Sequence, residues 1–64
     1  MRVFELHADD FVNNVTRLMI VDLDSIVSLQ ELRTESWHVT FSSGVQMQIT
    51  KAAFDRLLVA WKSN

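Results

Sequence analysis

The sequence predicts a small α+β domain, an antiparallel β-meander of three to five strands with a C-terminal amphipathic helix packed on one face. Three observations carry this reading. Residues 34–50, TESWHVTFSSGVQMQIT, alternate apolar and polar side chains on both sides of Ser42, Ser43 and Gly44. Residues 50–64, TKAAFDRLLVAWKSN, repeat apolar side chains at helical spacing. The chain has one Gly and no Pro in 64 residues, which leaves no linker, so 1–64 reads as a single compact domain without internal repeats.

At the N-terminus, MRVFEL reads as a strand. The β-branched and apolar run RLMIVDL reads as another, buried on both sides. The intervening DDFVNNVTRL leaves two readings open. Phe11, Val15, Leu18 and Met19 have helical spacing behind Asp9 as a cap, but Val, Asn and Thr are weak helix formers and the Asn13–Asn14 pair suits a turn. The preferred order is strand, then a loop or one short helix, then strand.

The stretch SIVSLQELR alternates, with Val27 and Leu29 on the row opposite Ser28 and Gln30, and forms a third strand joined to the next by a polar turn from Arg33 to Ser36. The hairpin that follows has a definite register. A three-residue loop with Gly44 in the left-handed conformation makes Phe41 face Val45, Val39 face Met47 and Trp37 face Ile49, all on one apolar face. Thr40 then pairs with Gln46 and His38 with Gln48 on the other face, because side chains alternate across a strand. In the final segment Ala53, Phe54, Leu57, Leu58 and Trp61 form one stripe and Lys51, Asp55, Arg56 and Lys62 lie off it. Thr50 caps the first turn through its hydroxyl, and Lys62 complements the negative end of the helix dipole.

Composition narrows the function. A domain near 60 residues buries only roughly 60% of the surface its unfolded chain exposes, so it gains from a disulfide, a metal or a partner subunit. With no Cys there is neither a disulfide nor a thiolate site, and His7 and His38 lack ligand spacing, so no metal and no cofactor is expected. That leaves assembly: hydrophobic residues make up 48% of the chain, an apolar load that points to a homo-oligomer. A net charge of -2 argues against gripping extended nucleic acid by its phosphates, while a small anionic ligand in a local pocket stays compatible. The longest apolar run, Leu18 to Val21, is too short to span a bilayer, and the first residues lack a signal-peptide core, so a cytoplasmic protein without membrane association is expected.

No nucleophile set is present: Cys and the Gly-x-Ser-x-Gly elbow are missing, and one Gly does not build a phosphate-cradling loop. The acid pairs Asp9–Asp10 and Asp22–Asp24 suit solvated turns and helix starts better than acid–base catalysis. His7 near Asp9 is a ligand only where symmetry multiplies it, and a surface role is the commoner one. The protein is therefore expected not to be an enzyme. The ligand-binding candidates are Arg17, Arg33, Trp37, His38, Gln46 and Gln48. An Arg fork beside an indole recognises a phosphate and a base together, and His and Gln side chains both donate and accept hydrogen bonds without fixed charge.

The segments DLDSIVSLQE and VTFSSGVQMQITKAAFDRLL resemble the small flagellar FlbD-like proteins, in which a short acidic-apolar segment leads into a strand, a Gly-turn hairpin and a closing helix. The likeness covers about the last two thirds of the chain. The Pro-Asp-Thr turn and early Asn-Gly turn of that family are missing here. The resemblance implies the meander-plus-helix plan and a regulator acting on nucleic acid. The residues themselves suggest a non-catalytic homo-oligomer that sequesters a small anionic ligand such as a nucleotide between subunits, or alternatively an adaptor or inhibitor that binds a larger protein partner.

Overall fold

A computed structural model describes residues 2–12, 17–32 and 35–63. The order is β1 (Val3–His7), a 3-10 turn (Ala8–Asp10), β2 (Leu18–Asp22), a second 3-10 turn (Leu23–Ser25), β3 (Ile26–Leu32), β4 (Ser36–Phe41), β5 (Gln46–Ile49) and α1 (Lys51–Lys62). β1 and β2 form a two-stranded antiparallel sheet, and β3, β4 and β5 an antiparallel meander in sequence order. The fold is α+β, as the patterning predicts.

The hairpin has the predicted register: Trp37 faces Ile49, His38 faces Gln48, Val39 faces Met47 and Thr40 faces Gln46. Phe41 N–H donates to the Val45 carbonyl at 2.9 Å, closing the three-residue loop, and Gly44 sits at φ +94°, where residues with a Cβ are strained. Val39, Phe41 and Ile49 are buried, but Val45, beside the turn, is 51% exposed. The β3–β4 connection has the same length, since Leu32 pairs with Ser36, and its last residue, Glu35, also has positive φ, at 56°. Arg33, the first residue of the predicted polar turn, lies outside the described residues.

Two strand expectations need correction. Val27 does not share the apolar row with Leu29. A β-bulge between Ile26 and Ser28 places Ile26 opposite Phe41 and Ser28 opposite Thr40, so Ile26 is buried and Val27 is 60% exposed. One extra residue in a bulge reverses the phase of alternation on either side of it. Likewise β2 is not buried on both sides. Met19 and Val21 face inward, while Leu18 and Ile20 are exposed beside Val3, Glu5 and His7 on the outer face of a sheet covered on one side only.

Between β1 and β2 the chain makes a short 3-10 turn instead of a helix with Phe11 and Met19 on one face. Phe11 turns into the core and bridges to Ile49. Val15 and the Asn13–Asn14 turn lie outside the described residues. Asp9 is exposed. The capping acid is Asp10, whose Oδ2 accepts from His7 N–H at 2.8 Å while its Oδ1 accepts from Arg56. Its carbonyl accepts from Thr50 N–H at 2.8 Å, and Val12 N–H donates to the Gln48 carbonyl at 3.3 Å. The solvated-turn reading therefore fails for Asp10, which is only 6% exposed. A carboxylate is retained inside when each oxygen has a donor, which is the case here.

α1 begins at Thr50, whose hydroxyl accepts from Ala53 N–H at 3.3 Å, and packs against β4, β1 and the second 3-10 turn. Ala53 and Leu57 are fully buried, and Phe54, Ala60 and Trp61 pack around them. The core joins both sheets and the helix: Leu6, Phe11, Val21, Leu23, Ile26, Val39, Phe41 and Ile49 complete it. At the far end Arg2 donates to the carbonyls of Trp61, at 3.2 Å, and Ser63, and pairs with Asp24 at 3.1 Å. A cation thus meets the unpaired carbonyls that end the helix.

Candidate polar interface on the sheet

With the helix on the inner side of the meander, alternation leaves the other side open. β4 contributes Ser36, His38 and Thr40 to this outer face, β5 contributes Gln46 and Gln48, and β3 contributes Ser28, Gln30 and Leu32 through the pairs Ser28–Thr40, Gln30–His38 and Leu32–Ser36. No Asp, Glu, Lys or Arg among the described residues falls on these positions. Gln46 Nε2 donates to Thr40 Oγ1 at 3.3 Å, and Gln48 Nε2 to Ser36 Oγ diagonally at 3.3 Å. These cross-strand bonds hold the amides flat along the sheet and leave each amide oxygen as a further acceptor.

His38 stands between Gln30 and Gln48. It is half-buried, and its Nδ1 is shut off from solvent without a hydrogen-bond partner among the described residues. A buried ring nitrogen left unpaired has a cost, which a shift of its neighbours or a bound group relieves.

His38, Gln46 and Gln48 are thus gathered on one surface, but the remaining predicted site residues are not. Trp37 faces the opposite way, beside Ile49, with its indole packed against the core. Arg17 is exposed and precedes β2 in the other sheet, its carbonyl accepting from Ala8 N–H at 3.0 Å. Arg33 lies outside the described residues.

The acid pairs have structural employment. Asp22 Oδ1 accepts from Asp24 N–H at 2.9 Å and so caps the second 3-10 turn, and Asp24 pairs with Arg2. The His7 ring lies 3.9 Å from Glu5, and no three His, Asp or Glu side chains gather into a metal-binding group among the described residues. No helix of the described residues is long and apolar enough to cross a membrane.

A concave feature lies between the sheets. Met19, Ile20, Val21 and Asp22 form one wall of an open groove of about 310 Å³, and Phe41 and Val45 stand across from them. Alternation does not reveal it, because it depends on how the two sheets pack.

No protein-family model matches the chain, and no curated protein or solved structure is detectably similar to it. These comparisons do not bear on the FlbD-like resemblance.

Proposed function

We propose that the protein is a non-catalytic binding module that engages a protein partner through the outer face of β3, β4 and β5. The observation that carries this reading is the make-up of that face: hydroxyls, amides, one imidazole and the exposed Leu32 spread over three strands, with no fixed charge among its described residues. A face without fixed charge costs less to desolvate than a charged one, and depletion of charge is one mark of an interface centre. The unpartnered His38 nitrogen lies in the middle of it.

Nucleotide sequestration has less support from the geometry, because the indole and the polar row occupy opposite faces of β4. The discriminating experiment compares the wild-type protein with Gln48→Ala and Gln46→Ala. Both substitutions are expected to leave the circular dichroism spectrum unchanged, since the two side chains bond only across an open surface. A partner retained by the immobilised wild-type chain and lost with Gln48→Ala supports the reading. Equal retention by both proteins refutes it. A thermal shift of several degrees with any member of a nucleotide panel would favour the ligand-sequestering alternative.

A further inference from the structure

We propose that the outer face of the β1–β2 sheet binds a basic amphipathic helix of a protein partner, with one large apolar side chain of that helix seated in the groove beside β2. This surface is distinct from the polar face of the meander, and neither proposal rests on the other.

The register draws the surface. Val3 pairs with Asp22, Glu5 with Ile20 and His7 with Leu18, and alternation sets all six on the side away from the buried Leu6 and Val21. Each pair joins one apolar residue to one polar residue, and the apolar member changes strand between the first pair and the second. Val3, Ile20 and Leu18 thus form one oblique stripe, exposed by 55%, 60% and 52%. Asp22 flanks the stripe on one side, and Glu5 and His7 flank it on the other. A contiguous exposed stripe with a charged rim is the make-up of a recognition surface, unlike apolar residues scattered singly.

The groove extends this surface. Ile20 and Asp22 wall the groove as well, so it opens along the same face, and Val45 on its far wall is half exposed. Its volume of about 310 Å³ is near the lower limit of small-ligand sites, and Met19, Val21 and Phe41 make its lining apolar. The 41–45 turn faces the β2 edge across this space. The arrangement suits a single inserted side chain, the anchor of a partner whose backbone stays outside, and not an added strand.

Charge selects the occupant. Arg2, Lys51 and Arg56 are paired with Asp24, Asp55 and Asp10. Glu5 and Asp22 meet no Lys or Arg among the described residues: His7 Nε2 lies 3.9 Å from Glu5, and Asp22 Oδ1 accepts from Asp24 N–H. Arg17, just before β2, falls by alternation on the side of Met19 and Val21. The stripe therefore has a carboxylate without a Lys or Arg partner on each flank. A helix fits it when apolar residues at i, i+3, i+4 and i+7 run along the stripe and Lys or Arg on both borders of that row meet Glu5 and Asp22. A second copy of this chain brings the same two acids to a two-fold contact and no Lys or Arg on this face to meet them. Anionic lipids and nucleic acids are repelled by the same carboxylates.

The experiment titrates the wild-type chain into labelled synthetic peptides of about four helical turns and follows fluorescence anisotropy at low salt. The first peptide carries a Leu row with one central Phe, bordered by Lys. The second has the same composition in an order that breaks the row, and the third has Glu for every Lys. Saturable binding of the first peptide alone is expected, weakened by added salt, with amide shift changes in the protein's NMR spectrum gathered at Leu18, Ile20 and Val45. That map needs no variant. Glu5→Lys and Ile20→Ser, both at exposed side chains, should each keep the wild-type circular dichroism spectrum and lower the affinity by about tenfold or more. No saturable binding of the first peptide, equal binding of either control peptide, or an affinity that either substitution leaves unchanged would overturn the proposal. Shift changes gathered at Gln46 and Gln48 would overturn it in favour of the polar face. The same shifts at Leu18 and Ile20 on concentrating the chain alone would assign the stripe to a second copy.

Discussion

Removing the Arg56 guanidinium leaves the Asp10 carboxylate buried with His7 N–H as its remaining donor. Arg56→Ala should therefore destabilise the fold by about 1–3 kcal/mol, read by urea denaturation, although Arg56 itself is half exposed. Its guanidinium also lies over the Phe4 ring, 5.7 Å from the centroid, so part of the loss is this cation–π contact. Nothing in the local sequence distinguishes Asp10 from Asp9; the distinction comes from an arginine 46 residues away. The two positive-φ residues make a paired prediction. Gly44→Ala should cost about 1 kcal/mol or more from backbone strain alone, because a Cβ there meets nothing within 4 Å. Glu35→Gly, at φ 56°, should relieve a left-handed cost of about 1 kcal/mol, largely offset by the freedom glycine adds to the unfolded chain, so the melting temperature should change by less than about 4 °C, in contrast to the clear loss at Gly44.

Among the elements, β4, β5 and α1 were legible because several local signals agree: the turn glycine, the alternation on both arms, the Thr50 cap and the helical stripe. β3 was legible as a strand but not in its phase. A bulge consumes one residue without changing composition, and an apolar residue such as Val27 fits a core row by pattern alone. The structure makes Val27 dispensable to the register, since Ile26 opposite Phe41 and Ser28 opposite Thr40 become a regular ladder without it. Deleting Val27 should thus give a folded protein with an unchanged far-ultraviolet spectrum. The straightened β3 edge should then promote association beyond that of the wild type, visible as larger species in light scattering. The β1–β2 hairpin was legible in its strands and not in its exposure, because a run of apolar residues reads as buried whether or not a second layer exists to cover it.

At the scale of the molecule, the polar row of the candidate interface could be drawn before the fold was known, since alternation alone puts His38 with Gln46 and Gln48. Its relation to the arginines and to Trp37 required the packing of one sheet against the other. The balance of the whole chain carries a prediction of its own. If assembly covers part of its apolar load, the apparent melting temperature of the wild type should rise with protein concentration in calorimetric scans over a range of dilutions.

Arg2 ties the first strand to the end of the helix, with its guanidinium on the carbonyls of Trp61 and Ser63. The polypeptide path is thereby nearly a closed ring. A short Gly-Ser bridge from Ser63 to Arg2, with new ends opened at the exposed Ser42–Gly44 loop, would reorder the strands along the chain and keep every strand pair, breaking only the covalent link between β4 and β5. Such a rearranged chain would present both of its ends next to the groove, where a fused reporter would stand beside the β2 edge.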